Sequence, residues 1–242
     1  MKKYVIPSSI SLLLLIIAFF WLAPIDLTSG TNDHSALERS EVIKLPEVDS
    51  SADFPLQKAI EDRRSVRDFR DTALDLEDVS ELAWSLQGIT SPSMGGRTAP
   101  SAGALYPLEV YVAVSRQVEG LDAGVYRYIP EEHGLFVCSD EKVNQELASA
   151  ALGQSFIAEA PLVLIISGNY SVTTSKYGKR GIRYVHMEAG HAAQNVYLKV
   201  EALDLGTVSV GAFFDDKVKH TLGLPSEQTP LYLMPVGKVD KR

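Results

Sequence analysis

The run Arg63-Arg64-Ser65-Val66-Arg67 is the part of this chain best equipped for chemistry. Four of the 23 basic residues, Arg63, Arg64, Arg67 and Arg70, fall within eight positions, with Ser65 among them. Cations favour the C-terminus of a helix, where free carbonyls leave partial negative charge. That accounts for one or two arginines, not four. Planar guanidinium forks around a hydroxyl suit a phosphate group. A second run, Thr98 to Pro107 (TAPSAGALYP), is built of small residues that let backbone approach a flat ligand closely, although an ordinary surface loop has the same composition.

Other spacings carry less. His186 and His191 are five apart and do not share a helix face, while Glu188 and His191, three apart, do. One such Glu-x-x-His pair is half of what a di-iron bundle requires, so a packing helix is the plainer reading and no metal site is expected. Ser139 to Lys142 matches Ser-x-x-Lys but reads as a helix start. The chain has no GxGxxG after a strand, no GxxxxGK[ST] and no GxSxG. The single cysteine, Cys138, excludes an internal disulfide and a cysteine zinc site. A net charge of −8 argues against a nucleic-acid partner.

The elements that must position these residues follow from periodicity. Asp53 and Pro55 open a helix to about Arg63, and Asp75 opens a second that ends at Gly88. Residues 109–115 alternate as a strand, GVYRYIP and GLFVC form a hairpin, and 140–151 read as a helix. LVLIIS, from Leu162, is a buried strand. A long helix spans about Arg183 to Leu205, TVSVGAF is a strand, Asp215 caps a short helix, and PLYLMPVG is a last strand. Strands do not alternate regularly with helices, which predicts α+β rather than a doubly wound sheet.

The N-terminus is a different material. Lys2 and Lys3 precede 22 residues without a charge, Tyr4 to Ile25. At about 1.5 Å per residue that length spans a bilayer core of roughly 30 Å. We expect residues 1–25 to be a membrane anchor, or a signal segment if cleaved, although no A-x-A site follows. Residues 26–53 carry −5 and read as an acidic linker, and residues 54–242, also at −5, form the folded body. Basic residues before the span and acidic ones after it place the body outside the cytoplasm. The mean hydropathy of +0.02 averages these unlike segments.

Taken in order, DRRSVRDF, LAWSLQGIT, RTAPSAGALYPLEVYV, GVYRY, LGQSFIAEAP, KYGKRGIRYVHMEAGHAAQNVYL, LGTVSVGAF and PLYLMPVG resemble the flavin-dependent nitroreductase-like superfamily. The similarity is greatest to its SagB-type branch of azoline dehydrogenases and runs from about Phe54 to Lys238. The resemblance implies a central mixed or antiparallel sheet flanked by helices, in an intertwined homodimer with FMN at the interface. It implies that Arg63, Arg64, Ser65 and Arg67 surround the FMN phosphate and ribityl chain. Pro100, Ser101, Ala102 and Gly103 would lie against the flavin ring. Gly211 and Ala212 would approach its N5, and Lys238 would add a phosphate contact. The long helix would be the dimer helix, its Ala and Gly at 189, 190, 192 and 193 permitting close contact.

Lys176-Tyr177 matches the branch's catalytic pair for azoline oxidation: a base removes a proton from one carbon while the neighbouring carbon gives hydride to flavin. The resemblance thus implies an FMN-dependent oxidoreductase acting on a small molecule or peptide. The alternatives are an NAD(P)H-driven nitro- or quinone reductase, and a non-catalytic membrane-tethered module.

Overall fold

The computed structural model describes residues 42–51, 53–115 and 118–240. Its strands are β1 (Ile43–Lys44), β2 (Ile89–Ser91), β3 (Gly96–Arg97), β4 (Leu108–Val114), β5 (Gly124–Ile129), β6 (Gly134–Ser139), β7 (Leu162–Asn169), β8 (Leu205–Thr207) and β9 (Gln228–Lys238). Its helices are α1 (Leu56–Asp62), α2 (Leu76–Gln87), α3 (Asn144–Ala150), α4 (Ser155–Glu159), α5 (Tyr170–Tyr177), α6 (Arg180–Ala202) and α7 (Asp215–Thr221). One antiparallel sheet runs β1-β6-β5-β4-β7-β9-β8, and β2 and β3 make a separate ribbon.

Period-two alternation divides the two central strands between two cores. Leu108, Val110, Val112 and Val114 of β4 join Leu162, Leu164 and Ile166 of β7 beneath α2 and α6. Tyr111 and Ala113 join Val163 and Ile165 on the opposite face, under α3, α4 and α7. Both faces of β7 are covered, which is why its sequence is apolar throughout. The result is an α+β layering in which helices flank a central antiparallel sheet.

α2 begins where expected. Asp75 Oδ1 accepts the Asp78 N–H at 2.7 Å, and Asp78 Oδ2 accepts the Asp75 N–H at 3.3 Å, a reciprocal capping box. Gly88 ends this helix for a reason other than left-handed backbone: its φ is −59°, and a Cβ there would sit 2.1 Å from the folded-over Trp84 ring. α1 starts later than expected, after Pro55, with no side-chain cap. α3 is shorter than expected, because the Ser139 hydroxyl accepts the Glu141 N–H at 3.1 Å and forms a turn instead of a helix start.

Three expectations change. Residues 42–51 belong to the folded body rather than to a solvated linker. Ile43 and Lys44 pair with β6, Leu45 is buried, and Asp49 N–H donates to Glu81 Oε1 at 2.8 Å. The TVSVGAF strand stops at Thr207, because the Ser209 N–H turns to Tyr197 and Val208 and Val210 sink into the α3–α7 core. Ala189, Ala192 and Ala193 are buried against the chain's own sheet, leaving only Gly190 of that set facing open space. Among the described residues no helix is long and apolar enough to cross a membrane. The expected span, residues 4–25, lies outside the described residues.

Candidate active site

Residues 63–67 run beside β8, where the Val66 N–H donates to Thr207 O at 2.8 Å. Alternation then turns Arg63, Ser65 and Arg67 to the other side. The Arg63 guanidinium lies 5.1 Å from the Tyr197 ring centroid, and Ser65 Oγ is 3.1 Å from Tyr197 Oη. The same phenol oxygen accepts the Ser209 N–H at 2.8 Å, and Ser209 Oγ is buried without a hydrogen bond. Burial alone would raise the Tyr197 phenol, but hydrogen bonds from Ser65 and the Ser209 backbone, with Arg63 nearby, hold it below its ordinary value. Arg67 stacks over Phe156 at 5.7 Å on α4, and α4's preceding residue Gln154 donates to Ala212 O at 3.3 Å.

Neither Arg63 nor Arg67 meets a carboxylate among the described residues. Gly211 and Ala212 are exposed, and their N–H groups donate to no backbone carbonyl of the described residues. Two free guanidinium groups, a hydroxyl and unused N–H donors therefore gather between the 63–67 segment and the loop after β8, a set suited to an anionic ligand.

Arg64 does not join them: its Nη1 donates to Glu61 O and Arg63 O, both at 2.8 Å, closing the end of α1. Lys238 is held elsewhere too, its Nζ 2.7 Å from Asp78 Oδ2 beside the α2 cap. Burial raises the Asp78 carboxyl above its ordinary value, and Lys238 pulls it partly back. Lys238→Met, which strands that buried carboxyl, is expected to cost about 2 kcal/mol of stability in urea unfolding.

The second group is built on α5. Asn169 caps this helix, its side chain accepting the Ser171 N–H at 3.0 Å, and Lys176 and Tyr177 occupy the last turn. Facing them is the 3-10 turn Ala102–Ala104, where Gly103 has φ +65°. A Cβ on Gly103 would lie 2.5 Å from Tyr177 Oη and 2.8 Å from Lys176 Nζ, so the amine and the phenol converge on one point of backbone. Tyr177 is fixed edge-on against Tyr184 of α6 at 5.2 Å. Gly103→Ala meets both a left-handed φ, which costs a side-chain-bearing residue about 1–2 kcal/mol, and the two functional atoms. We expect the variant to fold but to lose most activity, checked by turnover beside a thermal melt.

Sequence reasoning passed over Tyr197, Ser209, Tyr184 and Arg97. Tyr197 was legible only as one apolar position on the long helix. Its hydroxyl at the edge of a buried face was the available signal, since buried tyrosines usually place that group on a partner.

The Nitroreductase family model matches residues 60–238. The chain belongs to the nitroreductase family. It is 50% identical over 196 residues, 81% of this chain and 96% of the other, to the nitroreductase-family protein MJ1384 of Methanocaldococcus jannaschii. A crystal structure of a nitroreductase-family protein from Ralstonia eutropha superposes with TM-score 0.72 at 30% identity, covering 84% of this chain and 92% of that one. The microcin B17-processing protein McbC of Escherichia coli is 29% identical over 69% of this chain and 63% of its own length. This chain is an oxidoreductase of that family.

Proposed function

We propose that this nitroreductase-family chain is an FMN-dependent dehydrogenase of the SagB type, oxidising an azoline ring of a peptide. The convergence of Lys176 Nζ and Tyr177 Oη on Gly103 carries the reading. The residues fit FMN. Arg63 and Arg67, free of carboxylates, with Ser65 and the buried, unsatisfied Ser209 hydroxyl, suit its phosphate and ribityl hydroxyls. The free N–H groups of Gly211 and Ala212 suit the polar edge of its ring.

Bound FMN would supply a two-electron hydride acceptor. The protein's part is proton handling. Lys176 Nζ takes the proton from the carbon adjacent to the one that loses hydride, and the electron pair left behind becomes the new ring double bond. Tyr177 Oη hydrogen-bonds the reacting ring and passes the proton on. The substrate loses one hydride and one proton, which balances azoline to azole. The likeness to McbC, a microcin B17-processing protein, supports the peptide substrate.

The two groups stand apart on α6, with Tyr184 and Tyr197 separated by about 20 Å at roughly 1.5 Å per residue. A homodimer would let one protomer's loop meet the other's arginines. Leu56, Ile60, Ile182 and Met187 leave apolar surface exposed on α1 and α6, as such a pairing needs. We further propose that residues 4–25 tether the body to a membrane from outside the cytoplasm, which a C-terminal reporter fusion would test.

The deciding experiment is purification of the full chain. A yellow dimer that converts an azoline peptide to the azole is the expected result, and colourless protein that takes up no added FMN would overturn it. The relative MJ1384 favours a second reading, NAD(P)H-driven nitro- or quinone reduction. Yellow protein bleached by NADPH and inert toward azolines would establish that one instead.

A further inference from the structure

Two residues of the run RTAPSAGALYP have no part in the chemistry above, Arg97 at its start and Tyr106 near its end. The turn between them presents Gly103 to Lys176 Nζ and Tyr177 Oη. That turn is strained: Gly103, Ala104 and Tyr106 have φ of +65°, +53° and +47°. Glycine enters this region freely, whereas alanine and tyrosine stay there only where their surroundings hold them. The run is tied down at both ends. The Thr98 N–H donates to Gly88 O at 2.9 Å, Asn195 Nδ2 of α6 donates to Thr98 O at 3.2 Å, and the Asn169 N–H donates to Pro107 O at 2.9 Å. Inside the run, the Ala104 N–H donates to Ser101 O at 3.1 Å and the Tyr106 N–H to Ser101 Oγ at 2.9 Å. Those two bonds join the turn to itself and do not fix it to the helices or the sheet.

Arg97, at the end of β3, reaches across to that turn. Its guanidinium carbon lies 4.8 Å from the Tyr106 ring centroid. Its Nη1 donates to Gln87 Oε1 at 3.2 Å and its Nη2 to Glu131 Oε1 at 3.0 Å. Gln87 is the last residue of α2 and only 1% exposed, and Glu131 stands in the β5–β6 turn. Two hydrogen bonds in its plane fix the orientation of the guanidinium and leave a face for the ring. The Arg97 side chain is 16% exposed, so the cation is largely out of water, where its attraction to an aromatic face is stronger. An ammonium has no planar fork with which to hold both acceptors while stacking.

We propose that Arg97 is a positioning residue: held by α2 and the β5–β6 turn, it stacks on Tyr106, keeps that residue in its left-handed backbone conformation, and so fixes the turn that lays Gly103 against Lys176 and Tyr177. The consequence for turnover rests on the proposed role of Lys176 and Tyr177, and the consequence for the turn does not. With the turn fixed, the amine and the phenol meet at one point of backbone. With the ring released, Ala104 and Tyr106 relax toward ordinary backbone angles and that point is lost. The damage then falls on kcat more than on KM, because the reacting geometry is disturbed rather than the binding of the substrate as a whole.

The test reads amide hydrogen exchange of the full chain at Ala104 and Tyr106, with the Val110 and Val112 amides of the central strand β4 as the control for global unfolding. Tyr106→Leu, which removes the ring, should lower protection at both turn amides by roughly 3–30-fold, the span of a cation–π contact from exposed to desolvated. Tyr106→Phe keeps the ring and should stay within about twofold of wild type. Arg97→Met should match Tyr106→Leu, and the double variant should lose little beyond either single one, since both remove the same contact. Where Arg97→Met also exposes the β4 amides, the two Tyr106 variants decide the matter by themselves. Wild-type protection in Tyr106→Leu, an equal loss in Tyr106→Phe, or losses that add in the double variant would each overturn the inference. Turnover of an azoline peptide should follow the same order, kcat falling in Tyr106→Leu and holding in Tyr106→Phe, and the reverse order would remove the positioning role. The exchange readings need neither flavin nor substrate, so a failure here is distinct from the failure of the dehydrogenase reading, which colourless protein would signal.

Discussion

If the chain is the azoline dehydrogenase proposed, Lys176→Ala should lower azoline turnover by about 10²–10⁴-fold, the usual range for removing a positioned acid–base group, while FMN stays bound. Lys176 is exposed and forms no ion pair among the described residues, so its truncation should change stability by less than about 0.5 kcal/mol. The loss is then chemical rather than structural. Tyr177→Phe keeps the ring packed edge-on against Tyr184 and removes only the oxygen above Gly103. It should cost less than Lys176→Ala, since a relay can be bridged in part by water. Single-turnover oxidation of an azoline peptide, with flavin absorbance as the occupancy control, separates these outcomes. Activity within tenfold of wild type in Lys176→Ala removes the lysine from the mechanism.

That pair shows where sequence reasoning reached and where it stopped. Lys176 and Tyr177 are named by resemblance, yet the sequence pattern assigns no element to the polar segment around them, SVTTSKYG. It is in fact helix α5. Its composition is mixed and it has no apolar stripe, so periodicity could not find it. What makes it a helix is the Asn169 cap and packing against α6, where a Cβ on Gly181 would fall 2.7 Å from the Thr174 backbone N. Those contacts are tertiary, and a local pattern does not encode them.

Where a pattern is strictly local, the reading succeeded. The Asp75 cap, the alternation of β4 and the long apolar–alanine stripe of α6 each state a period, although α6 starts and ends three residues earlier than expected and Leu205 belongs to β8. The same stripe misled at the next step. Small residues on a helix mark close approach but not what approaches, and Ala189, Ala192 and Ala193 turn out to meet the chain's own core. Glu188 shows the converse. In sequence it looks like half of a metal motif, whereas in the fold it is a buried carboxyl on α6 whose Oε1 has no hydrogen-bond partner among the described residues.

The arginine cluster splits in the same way, and this sets the other large effect. Spacing gathered Arg63, Arg64 and Arg67 equally, whereas the fold sends Arg63 and Arg67 toward Tyr197 and Phe156 and folds Arg64 onto its own backbone. A hydrogen bond to a charged group contributes about 1.5–3 kcal/mol. The double variant Arg63→Ala/Arg67→Ala should therefore weaken FMN binding by roughly 10²–10⁴-fold. Arg64→Ala should stay within about threefold, since an exposed arginine on carbonyls of its own turn contributes under about 1 kcal/mol. Lysines at 63 and 67 keep the charge but lose the planar fork, so binding should fall between the two. Quenching of flavin fluorescence on titration gives all four affinities. Equal losses from the Arg63→Ala/Arg67→Ala double variant and from Arg64→Ala would mean that net positive charge, rather than the geometry around Tyr197, holds the phosphate.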